Sequence, residues 1–454
     1  MSSRKFVLLT LVIASLLLSL VATQCAPATT APPAEKPTAE EKPTEKPAEK
    51  VKIVYWSMFS EGEPLQRILK QATEDFMEEN PDIEVEVNWA GRQVLTQLQS
   101  AIAAGTQVDI VDHSDDRVYN AIVVNDLALP LDKYLDEKAY DSDKAWKDTF
   151  APGALDLGKG PDGKIYMIPR DDYISGFFYN VKMLKELGIE PDPTDMTWPE
   201  LVDIWETIKT EMPDVAPLGA DANIDFYNNY WMSYLSIRLA GKDAFREAAY
   251  DKTGEKWGEP EFLQAAQMIR ELQDRGYFQK GFEGSVWPAA QVQWVHSEIA
   301  MILLGAWLPK EMSDQTPEGF EISMFAFPKL EGGKGNEWVE HWANTYGVLK
   351  DCKYPDAAAK YLKYILSKKV GTVIAGAGTP VPLIGVPVPP ALVNQFKILG
   401  ESKTMPARAG LNTEIPEYMT NVFNVCDDQF FQMQIGPEEF IECLKTESKT
   451  FWAK

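Results

Sequence analysis

Hydrophobic and polar positions alternate along the chain in a way that predicts strands and helices in turn from residue 51 onward. The run "VKIVYW" at 51–56 is typical of a strand, and the segment between Pro64 and Pro81 places its apolar residues on one helical face. "IEVEVNW" at 83–89 alternates apolar and polar side chains, which indicates a strand with one solvated face. A further helix and a short strand follow. This order predicts an α/β domain with a mostly parallel sheet.

A second α/β unit is predicted after the turn-rich stretch 151–164. Strands are expected at 165–169 and 176–180, and Thr197 with Glu200 forms a capping box at the start of a helix. In open α/β sheets, ligands bind beyond the carboxyl ends of the strands. The residues that fall at such ends are Trp56, Trp307 and the stretches 112–117 and 170–173.

The stretch "AMILLGAWLPKEM" at 300–312 joins a buried strand to a large aromatic residue. Five apolar residues are followed by the small residues Gly305 and Ala306 and then by Trp307. An isolated tryptophan usually belongs to a hydrophobic core. The pattern by itself therefore leaves the role of Trp307 open.

The first 25 residues have the features of a targeting segment. Two basic residues precede an apolar run from Phe6 to Val21, and Cys25 follows in "VATQC". A cysteine after such a run resembles the lipobox of bacterial lipoproteins, which predicts a signal peptide at 1–25 and lipidation of Cys25. Gln24 replaces the small residue usual at that position, so ordinary signal cleavage and an uncleaved anchor stay open.

Residues 26–50 are rich in Pro, Lys and Glu and contain no aromatic or large aliphatic residue. Such a segment cannot bury enough apolar surface to offset its ordering entropy and is predicted to be disordered. As an extended tether of roughly 3 Å per residue it would span up to about 75 Å. Attached to a lipid at Cys25, it predicts a monomer held at the outer face of the cell membrane or in the periplasm.

Charge and motif content narrow the function classes. The net charge is −24, which disfavours nucleic acid as a partner because phosphate binding needs clustered Lys and Arg. The three histidines, His113, His296 and His341, lack metal-ligand spacing, and the sequence has no phosphate-loop, dinucleotide-binding or nucleophile-elbow motif. The sequence therefore predicts no cofactor, no metal site and no catalytic residue.

Besides Cys25 the chain has three cysteines, Cys352, Cys426 and Cys443. The last two lie on predicted C-terminal helices with a turn near 435–437 between them. An antiparallel hairpin would bring these two thiols close together, which predicts a possible disulfide in an oxidising compartment. One thiol would then be free or pair with another chain.

Four segments occur in a distinctive order: "EDFMEENPDIEVEV", "DGKIYMIPRDDYISGFFYNVKML", "HSEIAMILLGAWLPKEM" and "YPDAAAKYLKYIL". Over the range 51–454 the chain resembles the solute-binding proteins of bacterial ABC sugar transporters, the group that includes maltose-binding protein. The resemblance implies an α/β, two-lobed periplasmic-binding-protein-like fold (type II), with hinge strands and a ligand cleft between the lobes. It places lobe one at 51–170 plus 325–366 and lobe two at 171–324 plus 367–454.

The resemblance also implies which residues face the cleft. Aromatic side chains would stack on the apolar faces of sugar rings, and charged groups would bind the hydroxyls. Gly305 and Ala306 would let the ligand approach the backbone, and His113 stands where a relative has a stacking tryptophan. The implied ligand residues are Trp56, Ser60, Glu61, Asp116, Arg117, Asp171, Asp172, Tyr173, Trp231, Trp307, Trp342 and Arg408.

The implied function is capture of a sugar or oligosaccharide by lobe closure and its delivery to the permease subunits of an ABC transporter. Two other functions stay open. A polyamine or another cation would suit aromatic rings with Asp116, Asp171 and Asp172, although Arg117 opposes it. A cell-surface glycosidase would need two carboxyl groups at a fixed separation, and the sequence gives no distance.

Overall fold

The computed structural model describes residues 50–453, which belong to one compact unit. The predicted signal peptide, the lipidation site Cys25 and the predicted tether as far as residue 49 lie outside the described residues. Between residues 50 and 453, no helix is both long enough and apolar enough to cross a membrane.

The described strands number eleven. In chain order they are β1 (Val51–Ser57), β2 (Ile83–Trp89), β3 (Ile110–Ser114), β4 (Met167–Pro169), β5 (Tyr173–Asn180), β6 (Ala216–Gly219), β7 (Ile299–Gly305), β8 (Ile322–Phe325), β9 (Trp338–Trp342), β10 (Asn344–Val348) and β11 (Lys403–Met405).

The α-helices of the described residues cover the connections between these strands and the C-terminal region. In chain order they are α1 (Pro64–Glu79), α2 (Val94–Ala103), α3 (Asp115–Val118), α4 (Asp132–Leu135), α5 (Val181–Glu186), α6 (Trp198–Glu211), α7 (Asp225–Ala240), α8 (Lys242–Tyr250), α9 (Pro260–Asp274), α10 (Ala289–Val295), α11 (Leu308–Glu311), α12 (Pro355–Ile365), α13 (Lys368–Gly376), α14 (Val393–Glu401), α15 (Leu411–Glu414), α16 (Pro416–Tyr418), α17 (Asn424–Phe431) and α18 (Pro437–Trp452).

The first sheet has the strand order β2-β1-β3-β10-β4. β1 pairs in parallel with β2 and β3, while β10 runs antiparallel to β3 and β4. Ile83 and Val85 of β2 are buried and Glu84 and Glu86 are exposed, as the alternation in the sequence predicts. The helices α1, α12 and α13 pack their apolar faces into the core of this sheet.

The second sheet has the order β11-β9-β5-β7-β6, with β8 paired to β5. β6 pairs in parallel with β7, and β9 with β11, whereas β5 runs antiparallel to β7, β8 and β9. This sheet belongs to the second α/β unit predicted from the sequence, and β5 is the one strand that runs against the other five. β5 brings the chain into the sheet and β9 carries it out in the opposite sense.

The chain crosses between the two sheets and their cores three times, at two hinge segments between strands and at residues 387–389, which lead to α14. Residues 170–172 connect β4 to β5, and Ala343 connects β9 to β10. β8 and β9 both pair with β5, so residues 325–342, assigned from the sequence to lobe one, lie in the second sheet. Residues 370–383, assigned to lobe two, supply side chains to the core of the first sheet. The local sequence of a short strand or helix does not indicate which of two sheets it joins. The sequence therefore could not assign these segments to the correct sheet.

Local signals in the sequence correspond closely to the ends of several elements. The capping box of Thr197 and Glu200 begins α6, with the Thr197 amide donating to Glu200 Oε2 at 2.9 Å.

Cys426 on α17 and Cys443 on α18 form a disulfide with their Cα atoms 5.9 Å apart. Cys352 is buried and free.

Candidate functional site

Five aromatic side chains meet beside the hinge segments. Tyr173 begins β5, Phe226 and Tyr227 begin α7, Trp307 follows β7, and Trp342 ends β9. Ring centroids lie 5.6 Å apart for Phe226 and Trp307, 5.3 Å for Trp307 and Trp342, and 4.9 Å for Tyr173 and Trp342. Tyr173 is buried and the other four rings are half-buried. These five residues are called the aromatic wall below.

The position of Trp307 depends on the glycine two residues before it. A Cβ atom at Gly305 would lie 1.4 Å from the indole ring of Trp307, so the ring folds back onto the end of β7. The expectation that Gly305 leaves room for the ligand is therefore wrong, because the indole occupies that space. Phe226 and Tyr227 lie nearly parallel to the same indole, at interplanar angles of 23° and 27°.

A polar chain runs along one edge of the aromatic wall. Gln291 Nε2 donates to Tyr227 Oη at 3.3 Å and to Glu311 Oε2 at 3.2 Å. The side chain of Trp307 is a further hydrogen-bond partner of Glu311, one helical turn away. Glu311 is exposed on one side, yet burial on its other sides raises the pKa of this carboxyl. The arrangement holds a carboxylate against the wall.

The carboxyl end of β3 places two more acids beside the hinge. The Asp115 amide donates to the carbonyl of Ala343, next to Trp342, at 2.9 Å. Asp116 Oδ1 accepts from Ser114 Oγ at 2.5 Å and from the Arg117 amide at 2.8 Å. Burial raises the pKa of Asp115, and the neighbouring Asp116 raises it further. The start of α3 is thus joined to the residue beside Trp342 of the wall, and Arg117 is exposed.

His113 is buried between the backbone of Arg92 and the side chain of Ser114. Burial, followed by the charge of Arg117, lowers the pKa of His113 to about 4. The imidazole is therefore neutral at pH 7 and is enclosed by protein.

The acids of the first hinge segment are engaged within the protein. Arg170, completely buried, forms ion pairs with Asp112 and Asp171. Asp171 also accepts from the backbone and side-chain nitrogens of Asn344, at 2.6 and 2.9 Å. Asp172 is 5% exposed and pairs with His341. Asp171 is a correction to the implied ligand set, because its oxygens are used to fix the two hinge segments to each other.

Trp231 and Arg408 are also corrections to that set. Trp231 is 2% exposed and packs on Phe177 and Phe278, with centroids at 5.6 and 5.4 Å. It lies more than a turn along α7 from the residues that join the wall, which places it in the core of the second sheet. Arg408 is completely buried and forms an ion pair with Glu340 at 2.6 Å.

The loop after β1 supplies the remaining implied residues. Ser60 and Glu61 are exposed, and Trp56 is half-buried against the cluster under α2. In the same loop Glu63 pairs with Arg92 at 2.7 Å. Arg92 and Glu63 both influence the pKa of Glu311, so this loop faces the wall from the first sheet.

Comparison with known proteins identifies the family. A family model described as "Bacterial extracellular solute-binding protein" matches residues 59–372, well over half of the chain. This chain belongs to that family.

Proteins similar to this solute-binding protein include a sequence relative and solved structures of the same fold. The multiple sugar-binding protein of Streptococcus mutans is 26% identical over 211 residues, covering 45% of this chain and about half, 48%, of the relative. A chitin oligosaccharide binding protein has a TM-score of 0.72 at 21% identity, over 89% of this chain and 100% of that one. A sugar transporter protein of Bacillus licheniformis, solved with stachyose, has a TM-score of 0.67 at 20% identity, over 87% and 99%. The fold is thus two-lobed and periplasmic-binding-protein-like.

Four side chains at the candidate site of this solute-binding protein were not among the residues predicted from the sequence: Phe226, Tyr227, Glu311 and Arg92. Glu311 had a signal, since it follows Trp307 by four residues and therefore lies one helical turn away. Phe226 and Tyr227 belong to an aromatic-rich segment at the start of α7, which begins at Asp225. Which of its rings lie outside the core depends on that starting residue, and the sequence pattern does not fix it. Arg92 reaches the site through a pairing 29 residues away along the chain, which no local pattern indicates.

Proposed function

We propose that this solute-binding protein captures a neutral oligosaccharide against the aromatic wall and delivers it to the permease of an ABC transporter. The observation that carries the proposal is the wall itself, in which four partly exposed rings lie side by side next to the hinge. Aromatic faces suit the apolar CH surfaces of sugar rings and ask for no charged group on the ligand.

Polar groups around the wall would bind the sugar hydroxyls. Asp116 and Glu311 offer carboxylate oxygens, and Arg92 and Arg117 offer guanidinium donors, which make stronger hydrogen bonds than neutral groups. The proposed set also keeps Trp56, Ser60 and Glu61 from the resemblance. Asp171, Trp231 and Arg408 leave the set because they are buried among other side chains.

The names of similar proteins support an oligosaccharide as the ligand class. Those proteins are named for multiple sugars and chitin oligosaccharide, or are solved with stachyose. A polyamine is the second candidate, because Asp115, Asp116 and Glu311 gather acid groups at the same wall. The guanidinium groups of Arg92 and Arg117 oppose a cation there.

We propose that ligand binding closes the two lobes about the hinge segments. Lobe one would comprise 51–169 plus 344–386, and lobe two 173–342 plus 390–453, following the sheets and their cores. Such closure follows only from a higher affinity of the ligand for the closed arrangement.

The predictions for the N-terminal region stay proposals. Lipidation of Cys25 would anchor the protein to the outer face of the cell membrane, and 26–50 would tether a monomeric binding unit. Cys25→Ala is expected to release the protein from the membrane fraction, which cell fractionation and radiolabelled fatty acid incorporation would measure. An unchanged distribution would contradict lipid anchoring.

The experiment that tests the function is a calorimetric and thermal-unfolding screen of the purified protein. The panel contains maltotriose, raffinose, stachyose, chitotriose, spermidine and putrescine. We expect saturable binding of an oligosaccharide, with Trp307→Ala reducing affinity at least about tenfold because a central stacking ring is lost. Chromatography of the mixture should show the sugar intact.

Trp452→Ala is the matched control, since this half-buried tryptophan stacks on Tyr418 at the far end of α18. It should leave the affinity unchanged. Binding of polyamines alone would favour the second candidate, and the appearance of shorter sugars would reveal a glycosidase.

A further inference from the structure

Trp287 is unusual among the tryptophans of this protein because it is exposed. Its exposed fraction is 43%, and that of its neighbour Val286 is 60%. The other twelve tryptophans all lie within the described residues and are buried or half-buried. Two large apolar side chains exposed next to each other form an apolar surface patch, and such patches are typical of ligand-binding surfaces.

The loop that carries Trp287 is held in place by buried and backbone hydrogen bonds. Asp221, 2% exposed, accepts from Ser285 Oγ at 2.6 Å and from the Ala290 amide at 3.0 Å. The Trp287 amide donates to Asn223 Oδ1 at 2.8 Å. Both ends of the loop are therefore fixed to the segment 221–223. A ring presented on a fixed backbone loses less conformational entropy when it binds a ligand.

This loop lies on the same edge of the second sheet as the aromatic wall. β6 and β7 are parallel, so their carboxyl ends share one edge. Trp307 follows β7, and 221–223 follows β6 and leads directly to Phe226. Gln291, four residues after Trp287, donates to Tyr227 of the wall. The loop of Trp287 is therefore joined to the wall in two places. Residues 224–225 lead from Asn223 to Phe226, and Gln291 contacts Tyr227.

We propose that Trp287 and Val286 form an outer platform for a sugar ring beyond those bound at the aromatic wall. The inference rests on the proposed function and extends it to ligand length: the site favours longer oligosaccharides over disaccharides. An exposed indole face suits the apolar face of a neutral ring and fixes no particular hydroxyl pattern. The outer platform thus raises the affinity for longer oligosaccharides, while the aromatic wall selects the sugar bound at the inner positions.

The test compares two sugar series in calorimetric titrations of the full protein. One series is sucrose, raffinose and stachyose, and the other is chitobiose, chitotriose and chitotetraose. Trp287→Ala should reduce affinity for the tetrasaccharide of the bound series by about tenfold, while the disaccharide changes less than about twofold. Trp287→Phe should restore most of the length preference, since it retains an aromatic face.

The control variant is again Trp452→Ala, which should leave the ratio of tetrasaccharide to disaccharide affinity unchanged. An equal effect of Trp287→Ala on every length, or no effect at any length, would overturn the outer platform while the proposed function stands. If the unaltered protein binds no sugar of either series, the proposed function fails and the inference fails with it.

Discussion

Asp427 is a buried carboxyl whose oxygens have no hydrogen-bond partner among the described residues. Burial raises its pKa well above the usual range, and the nearby acids Asp428 and Asp225 add to the effect. The unfolded chain has the ordinary pKa of about 3.9. The folded state therefore holds this proton more tightly, so stability is lost as the pH rises above that value.

Asp427→Asn is expected to stabilise the protein at pH 7.5 by about 1–3 kcal/mol, because burying the carboxyl at this pH requires either an unpaired charge or uptake of a proton, and the amide requires neither. The gain should shrink towards pH 4, where the carboxyl is protonated in the folded protein. Thermal unfolding at both pH values measures this. Asp274→Asn, at an exposed position on α9, is the control and should change neither value. A loss of stability at pH 7.5 would contradict the assignment.

Arg408 stabilises the protein from beneath the aromatic wall. Its guanidinium pairs with Glu340 at 2.6 Å, donates to the carbonyl of Phe226, and lies 4.0 Å from the ring centroid of Tyr230. Its backbone φ of +51° lies in the left-handed region, as does that of Ala409 at +56°. Non-glycine residues adopt such angles only where surrounding contacts offset the strain.

Arg408→Met should destabilise the protein by roughly 3–5 kcal/mol, because it leaves the Glu340 carboxylate buried and unpaired. The double variant with Glu340→Met should lose less than the single variant, since no charge is then stranded. A double-mutant cycle from chemical unfolding measures this coupling. Strictly additive losses would show that the two side chains do not act as a pair.

At the scale of elements, the disulfide between α17 and α18 closes a short loop, with 17 residues of sequence separation. Loops of this length predict a stabilisation of about 3 kcal/mol from restriction of the unfolded chain. Replacing Cys426 and Cys443 together by Ser should lower the unfolding temperature by several degrees. A reducing agent should lower that of the unaltered protein similarly and leave the double variant unchanged. A reductant-insensitive unaltered protein would contradict the bond.

Element ends were predictable where one local interaction decides them. The Thr197 capping box begins α6, and Gly276, with φ of +64°, follows the end of α9. The partner sheet of β8 and β9 was not predictable, because it depends on pairing with β5 more than 140 residues earlier. The place of Trp307 at the carboxyl end of β7 was predictable from the apolar run before it, whereas its proposed role in the site came from the family resemblance. Trp231 was not excluded, because its burial depends on where α7 meets the sheet.

At the scale of the whole molecule, α11 is one of the places where the second lobe reaches the first. Lys310 lines a groove of about 460 Å³ together with Pro64 and Arg67 of α1, and it lies beside Gly378. Burial lowers the pKa of Lys310, the carboxylate of Asp314 partly offsets this effect, and the positive charge of Arg67 lowers the pKa again. Two like charges therefore face each other across the lobes in this arrangement and oppose closure.

Lys310→Glu should convert this repulsion into attraction and so favour the closed arrangement. A partly exposed pair contributes about 0.2–1 kcal/mol, so the affinity for the bound oligosaccharide should rise about 1.5- to 5-fold at low salt. Calorimetry should be done at about 20 mM salt, where screening is weak, and at about 500 mM salt, where it is strong. The gain in affinity should disappear at the higher salt concentration. Combining Lys310→Glu with Arg67→Glu restores like charges and should return the affinity to that of the unaltered protein. A higher affinity that persists in the double variant would mean that residue 310 acts on the ligand directly and not through the contact between the lobes.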